Sequence, residues 1–171
     1  MRIVSNAYQH LGRFLKDSVL DDDGRPAFNW VDLWYEQTEY PELAEAIDYP
    51  ALFFDFGSDD LNTVGLKEQD VRLITNLYVA VSTLQDTNLE SVERNEALHY
   101  FELCARVHEL LQGYAHPAVG NLDRIGFSPV STNTNLIVYR LTYASRIFDI
   151  SPLVKREGPN PGPEPTKLFD V

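Results

Sequence analysis

The chain holds a single cysteine, Cys104, so no intramolecular disulfide can form, and this usage fits a reducing compartment. No apolar run approaches the roughly 20 residues that a bilayer-spanning helix requires. Behind Met1 and Arg2 the sequence turns polar at Ser5 and Asn6, without the hydrophobic centre of a signal peptide, so a cytosolic origin is expected. Basic residues are scarce: 14 Lys and Arg stand against 26 Asp and Glu, a net charge of -12. A surface this negative repels phosphates, which argues against duplex binding through neutralised backbone charge. It suits a basic partner, or a channel through which DNA slides without sticking, and it equally suits a merely soluble acidic protein.

Familiar catalytic signatures are also missing. There is no glycine-rich phosphate loop, no GxSxG elbow, no paired-cysteine zinc spacing and no HExxH. What remains are loose constellations. Cys104 and His108 lie four apart, on one helix face, as two ligands of one metal or a nucleophile pair would. Both fall on the apolar stripe beside Phe101 and Leu111, which favours a buried thiol and a packed or interfacial imidazole. His99 and His116 have no carboxylate partner at helical spacing that singles them out. Asp21-Asp22-Asp23-Gly24 has the start of a calcium loop without its alternating ligands or distant glutamate, so a turn is expected there. Asp59 with Asp60, and Glu36 with Glu39, are acid–base candidates only inside a cleft that shifts one pKa. No catalytic, cofactor or metal residue is therefore assigned, and an enzyme is not expected.

What the sequence does contain is a globular composition, 44% hydrophobic and 12% aromatic over 171 residues, enough for one substantial core. Residues 1–150 are expected to form one α+β domain and residues 151–171 a proline-rich extended arm. Val4, Tyr8, Leu11 and Leu15, widened by Phe14, predict an amphipathic helix over Val4 to Asp17. Phe28 to Tyr35 predicts a strand, with Trp30, Asp32 and Trp34 on one side. A short helix is expected between Thr38 and Ile47, with Leu43, Ala46 and Ile47 as its apolar contacts. Ala51 to Phe56 predicts a strand closed by Gly57, followed by a polar loop from Ser58 to Lys67.

Gln69 to Ser82 gives the clearest strand signal: Val71, Leu73, Leu77, Val79 and Val81 share one face. Ile74 and Tyr78 on the other face predict cover there too, from a neighbouring subunit or from the chain's own helix or loop. A long helix is expected from Ser91 to Gln112, stopped at Gly113, with Ala97, Tyr100, Phe101, Cys104, Val107, His108 and Leu111 as its buried stripe. Leu122 to Ser131 and Asn135 to Asp149 then predict a long antiparallel hairpin joined through Thr132-Asn133-Thr134. Beyond Pro152 the arm ends in Leu168-Phe169-Asp170-Val171, which either docks on a neighbour or is a plain terminus.

This order of elements resembles the small tail-terminator or tail-completion proteins of long-tailed bacteriophages and prophages. The local wording that carries the resemblance is Trp30-Val31-Asp32-Leu33-Trp34-Tyr35-Glu36-Gln37 and Tyr49-Pro50-Ala51-Leu52-Phe53-Phe54-Asp55-Phe56. It continues through Gln69 to Val81, the helix around Glu96 to Leu111, and Asn135 to Phe148. The resemblance implies an α+β fold with a mainly antiparallel sheet packed on an N-terminal and a central helix. It also implies a homo-oligomeric ring, commonly a hexamer, at the head-proximal end of the tail tube. The implied partners are further copies of the chain, the tail-tube protein and head-completion or neck proteins. DNA would pass through the lumen without specific binding, in a virion tail or neck assembled in the host cytoplasm. No site residue carries over from that family. A soluble protein–protein adaptor and a small metal-dependent hydrolase are the alternatives.

Overall fold

A computed structural model describes residues 2–65, 68–82 and 88–149. The expected arm after Pro152 lies outside the described residues. Helix α1 (Arg2–Ser18) forms because Ala7, Leu11 and Leu15 recur every fourth residue, and all three are fully buried. Tyr8 and Phe14 pack beside them. Burying Leu11 and Leu15 contributes about 1.5–3 kcal/mol each, which fixes the helix to the sheet beneath it.

That sheet has five strands in the order β1 (Trp30–Leu33), β2 (Ala51–Gly65), β3 (Glu68–Ser82), β7 (Leu136–Asp149) and β6 (Asp123–Val130). Strand β1 runs parallel to β2; every other pair is antiparallel. Between β1 and β2 lie a 3-10 turn at Gln37–Glu39 and the one-turn helix α2 (Pro41–Ala44). Between β3 and β6 come α3 (Arg94–Ala97), α4 (His99–Leu111) and a small ribbon of β4 (Ala115–His116) with β5 (Gly120–Asn121). The α+β expectation is met, with a mainly antiparallel sheet carrying the N-terminal helix and α4.

Alternation along β3 decides where the core sits. Val71, Leu73, Leu77, Val79 and Val81 meet α1, α4, Leu52 and Phe54 in one large cluster. The helical run is shorter than expected and broken at Leu98, while Ala97, Tyr100, Cys104, Val107 and Leu111 of the expected stripe are buried. Leu103 is buried, whereas Phe101 is half-exposed against Tyr139 and Phe127. Gly113 ends the run as expected, at φ +73, a left-handed conformation that costs glycine nothing.

Strand β2 differs most from expectation. Ser58 to Lys67 was expected to be a loop, yet β2 continues to Gly65 and pairs with β3 as far as Glu68; residues 66 and 67 are not described. The polar sequence hides a strand exposed on both faces, where alternation has no buried side to mark it. Register shifts between Ser58 and Asp60 and between Thr63 and Gly65 absorb the extra residues.

The second face of the sheet is partly covered by the chain's own β1–β2 connection. Trp34 stacks on Tyr78 with ring centroids 4.1 Å apart, and Ile47 and Tyr49 pack on Phe53 and Val138. Trp34 lies just past β1, its N–H donating to the Phe54 carbonyl, while Trp30 remains partly exposed. In α2 only Ala44 is buried; Leu43 and Ala46, expected as contacts, face outward.

Candidate functional site

The constellations seen in the sequence resolve into structural roles. Cys104 is buried beneath α4, and burial pushes its thiol up to about 12, far from a reactive thiolate. His108 Nδ1 faces the Tyr143 hydroxyl at 3.3 Å, and burial lowers its pKa, helped by the Arg124 charge. The helix places the two side chains on one face, with the imidazole turned to Tyr143. At the aspartate turn, Asp21 Oδ1 accepts the backbone N–H of Asp23 and of Arg25, which pulls the Asp21 pKa down. Arg25 pairs with Asp23, and Arg106 of α4 pairs with Asp22 at 2.7 Å and donates to the Leu20 carbonyl. The two Arg106 contacts anchor α4 to the turn that follows α1. Among the described residues no group of three or more His, Cys, Asp or Glu could hold a metal ion.

The open part of the second sheet face carries a polar lattice. Arg72 and Arg146 stand directly opposite each other on β3 and β7. Like charges in that position repel, and three carboxylates offset them. Arg72 pairs with Asp59 at 2.5 Å, and Arg146 bridges Asp70 at 2.6 Å and Asp60 at 3.1 Å. Nearby, the Thr142 hydroxyl donates to Asn76 Oδ1, whose amide nitrogen donates to Asp55. Asp59 and Asp60 are thus hairpin braces. Exposed pairs like these contribute only about 0–1 kcal/mol each, so they set register more than stability. Glu39 accepts from Asn133, and the Thr134 hydroxyl donates to the Thr38 carbonyl, tying the β6–β7 turn to the 3-10 turn.

One constellation had no signal in the sequence. His10 of α1 stacks on His116 of β4 with ring centroids 3.6 Å apart and planes 8° from parallel. His10 Nε2 lies 2.8 Å from the Tyr114 hydroxyl, and Phe14 stacks on the same tyrosine. His116 Nδ1 accepts the Ala118 N–H. Burial lowers the His10 pKa, and the neighbouring His116 lowers it further. Helical spacing could not reveal a partner brought in by tertiary folding.

The sign of this coupling gives a pH prediction. A histidine whose folded pKa is depressed contributes its full stability above the ordinary value of about 6.5 and loses it as pH falls through that value. His10 and His108 shift the same way. The urea midpoint is therefore expected to fall between pH 7.5 and pH 5.0, and His10→Gln to flatten part of that fall. A wild-type midpoint equal at the two pH values would refute the assignment.

Charge is divided across the fold. Between Arg25 and Lys67 the chain has no Lys or Arg, while the connection over that stretch carries Glu36, Glu39, Glu42, Glu45 and Asp48. The outer side of α1 presents Arg2, Arg13 and Lys16, all exposed. Among the described residues no ion pair neutralises either group. Compared with known proteins, the chain matches no family model and no curated protein.

Proposed function

We propose that this chain is a virion structural protein: a tail terminator or tail-completion protein forming a ring at the head-proximal end of a tail tube and joining tail to head. The observation that carries the reading is the outer half of the β2–β3 hairpin. Beyond Phe56 its β2 strand runs out exposed, with Leu61 59% and Val64 60% exposed and, on β7 across β3, Phe148 69% exposed. Large apolar side chains along one extended hairpin mark a contact surface. The sequence resemblance supplies the kind of assembly, and the α+β architecture it implies is the one this chain adopts. A net charge of -12 suits a ring whose lumen DNA must traverse without adhering.

Light scattering over a range of concentrations, with and without purified tail tubes, tests the proposal. A ring, or ring formation on the tube end, is expected. A protein that stays monomeric throughout and never caps tubes would overturn it, and a monomer or dimer that engages some unrelated soluble protein would favour an adaptor.

A further inference from the structure

Two surfaces on opposite faces of the sheet match each other. One is a groove of about 240 Å³ between α1 and β1, lined by Tyr8, Gln9, Gly12, Arg13, Lys16 and Val31. Gly12 opens its floor, since a Cβ there would meet Val31 only at 3.7 Å. The volume lies below the roughly 300–1,000 Å³ of small-molecule pockets, so it fits a side chain better than a ligand. Its floor is apolar and its rim basic. The groove belongs to the α1 side, because Tyr8 meets Phe54 edge-on and Phe54 lies in the large core cluster.

The other surface is the β1–β2 connection, which covers the opposite face through Trp34, Ile47 and Tyr49. It exposes Tyr35 by 58%, Tyr40 by 52% and Leu43 by 44%, rimmed by Glu36, Glu42 and Glu45. The patch is held in shape. The fully buried Gln37 side chain accepts the Tyr35 N–H and donates to the Leu33 carbonyl, and Glu36 is fixed at φ 63. A patch that is already rigid loses little entropy on docking.

We propose that the Tyr35–Leu43 surface of one copy of this chain docks into the α1–β1 groove of a second copy, aromatic side chain to apolar floor and carboxylates to Arg13 and Lys16. Charge and polarity are complementary across the contact, which selects this occupant over an unrelated apolar segment. Because the two surfaces differ and lie on opposite faces, the contact is heterologous and repeats head to tail, giving a ring where the rotation per copy closes and an open filament where it does not. The inference rests on the ring-forming reading above and names the interface it would use.

Charge reversal tests it. Arg13→Glu with Lys16→Glu, and separately Glu42→Lys with Glu45→Lys, are each expected to raise the concentration for half-assembly by on the order of tenfold, about 1.4 kcal/mol. Joining all four substitutions in one chain restores the complementary signs, and assembly is expected to recover to near wild type. Thermal melting at low concentration checks that every variant folds. A wild-type ring indifferent to either reversal, or a four-fold variant as weak as the two losses combined, overturns this interface alone. A wild-type chain that never assembles overturns the ring reading and the interface with it.

Discussion

Gly120→Ala is expected to cost about 4 kcal/mol of stability, a large share of the roughly 5–15 kcal/mol that holds a domain folded. Gly120 opens β5 at φ +74. An L side chain in that region costs about 1–2 kcal/mol before any contact is considered. Here a contact decides the matter: a Cβ at position 120 would collide with the Arg146 carbonyl oxygen and stand 2.9 Å from Ile147 Cγ2. The carbonyl cannot yield, since β7 is paired with β3 along its length and Arg146 sits opposite Arg72. Relief therefore requires the β4–β5 ribbon to lift. That movement withdraws Val119 and Leu122, both fully buried, at about 1.5–3 kcal/mol apiece for complete exposure. It also parts His116 from His10. Gly113→Ala is the control: its φ is also positive, +73, but nothing lies within 4 Å of the added Cβ, so only the same backbone term of about 1–2 kcal/mol is expected. Urea unfolding of the two variants side by side separates strain from collision, and equal losses would show that the close approach at Gly120 is not real.

How much of this was written in the sequence depends on whether a segment has one wet side and one dry side. Strand β3 does, and its alternating valines and leucines marked both its extent and its buried face. Helix α1 does, through Val4, Tyr8, Leu11 and Leu15 at helical spacing, of which Leu11 and Leu15 are fully buried. The outer part of β2 does not: Ser58 to Val64 is wet on both faces, so its strand character comes from pairing with β3 and leaves no periodic trace. Phe101 was read as buried from its place beside the stripe, yet it sits half-exposed at the stripe's edge against Tyr139 and Phe127, a contact that only the sheet supplies. Of the candidate groups, Cys104 and His108 were legible as packed residues because their neighbours on the helix were apolar. The His10–His116 stack was not, because tertiary folding alone brings α1 to the β4–β5 ribbon. The division of charge between α1 and the β1–β2 connection is visible as composition. That the two lie on opposite faces of one sheet is visible only in the fold.

Phe54→Ala is the second large expectation, about 4 kcal/mol, near the middle of the 3–5 kcal/mol seen when a buried phenylalanine is cut to alanine. Phe54 is fully buried in β2, meets Tyr8 edge-on at 5.7 Å and stacks offset on Phe56 at 6.0 Å. It is thus the ring on which α1 sits, and truncation leaves a cavity between helix and sheet that two ordered layers cannot collapse around. Phe54→Leu keeps most of the volume and is expected to cost less than about 1.5 kcal/mol. The comparison also separates the two ways in which α1 matters. Phe54→Ala should loosen α1 locally, so that tryptic cleavage after Arg13 and Lys16 quickens even where the rest of the sheet stays folded. Assembly should then fail because the groove has lost its wall. Arg13→Glu with Lys16→Glu should leave stability within about 0.5 kcal/mol, as exposed substitutions do, and weaken assembly through charge alone. If Phe54→Ala lost less than about 1.5 kcal/mol, α1 would not be anchored as described, and a groove built on it could not be a fixed docking surface.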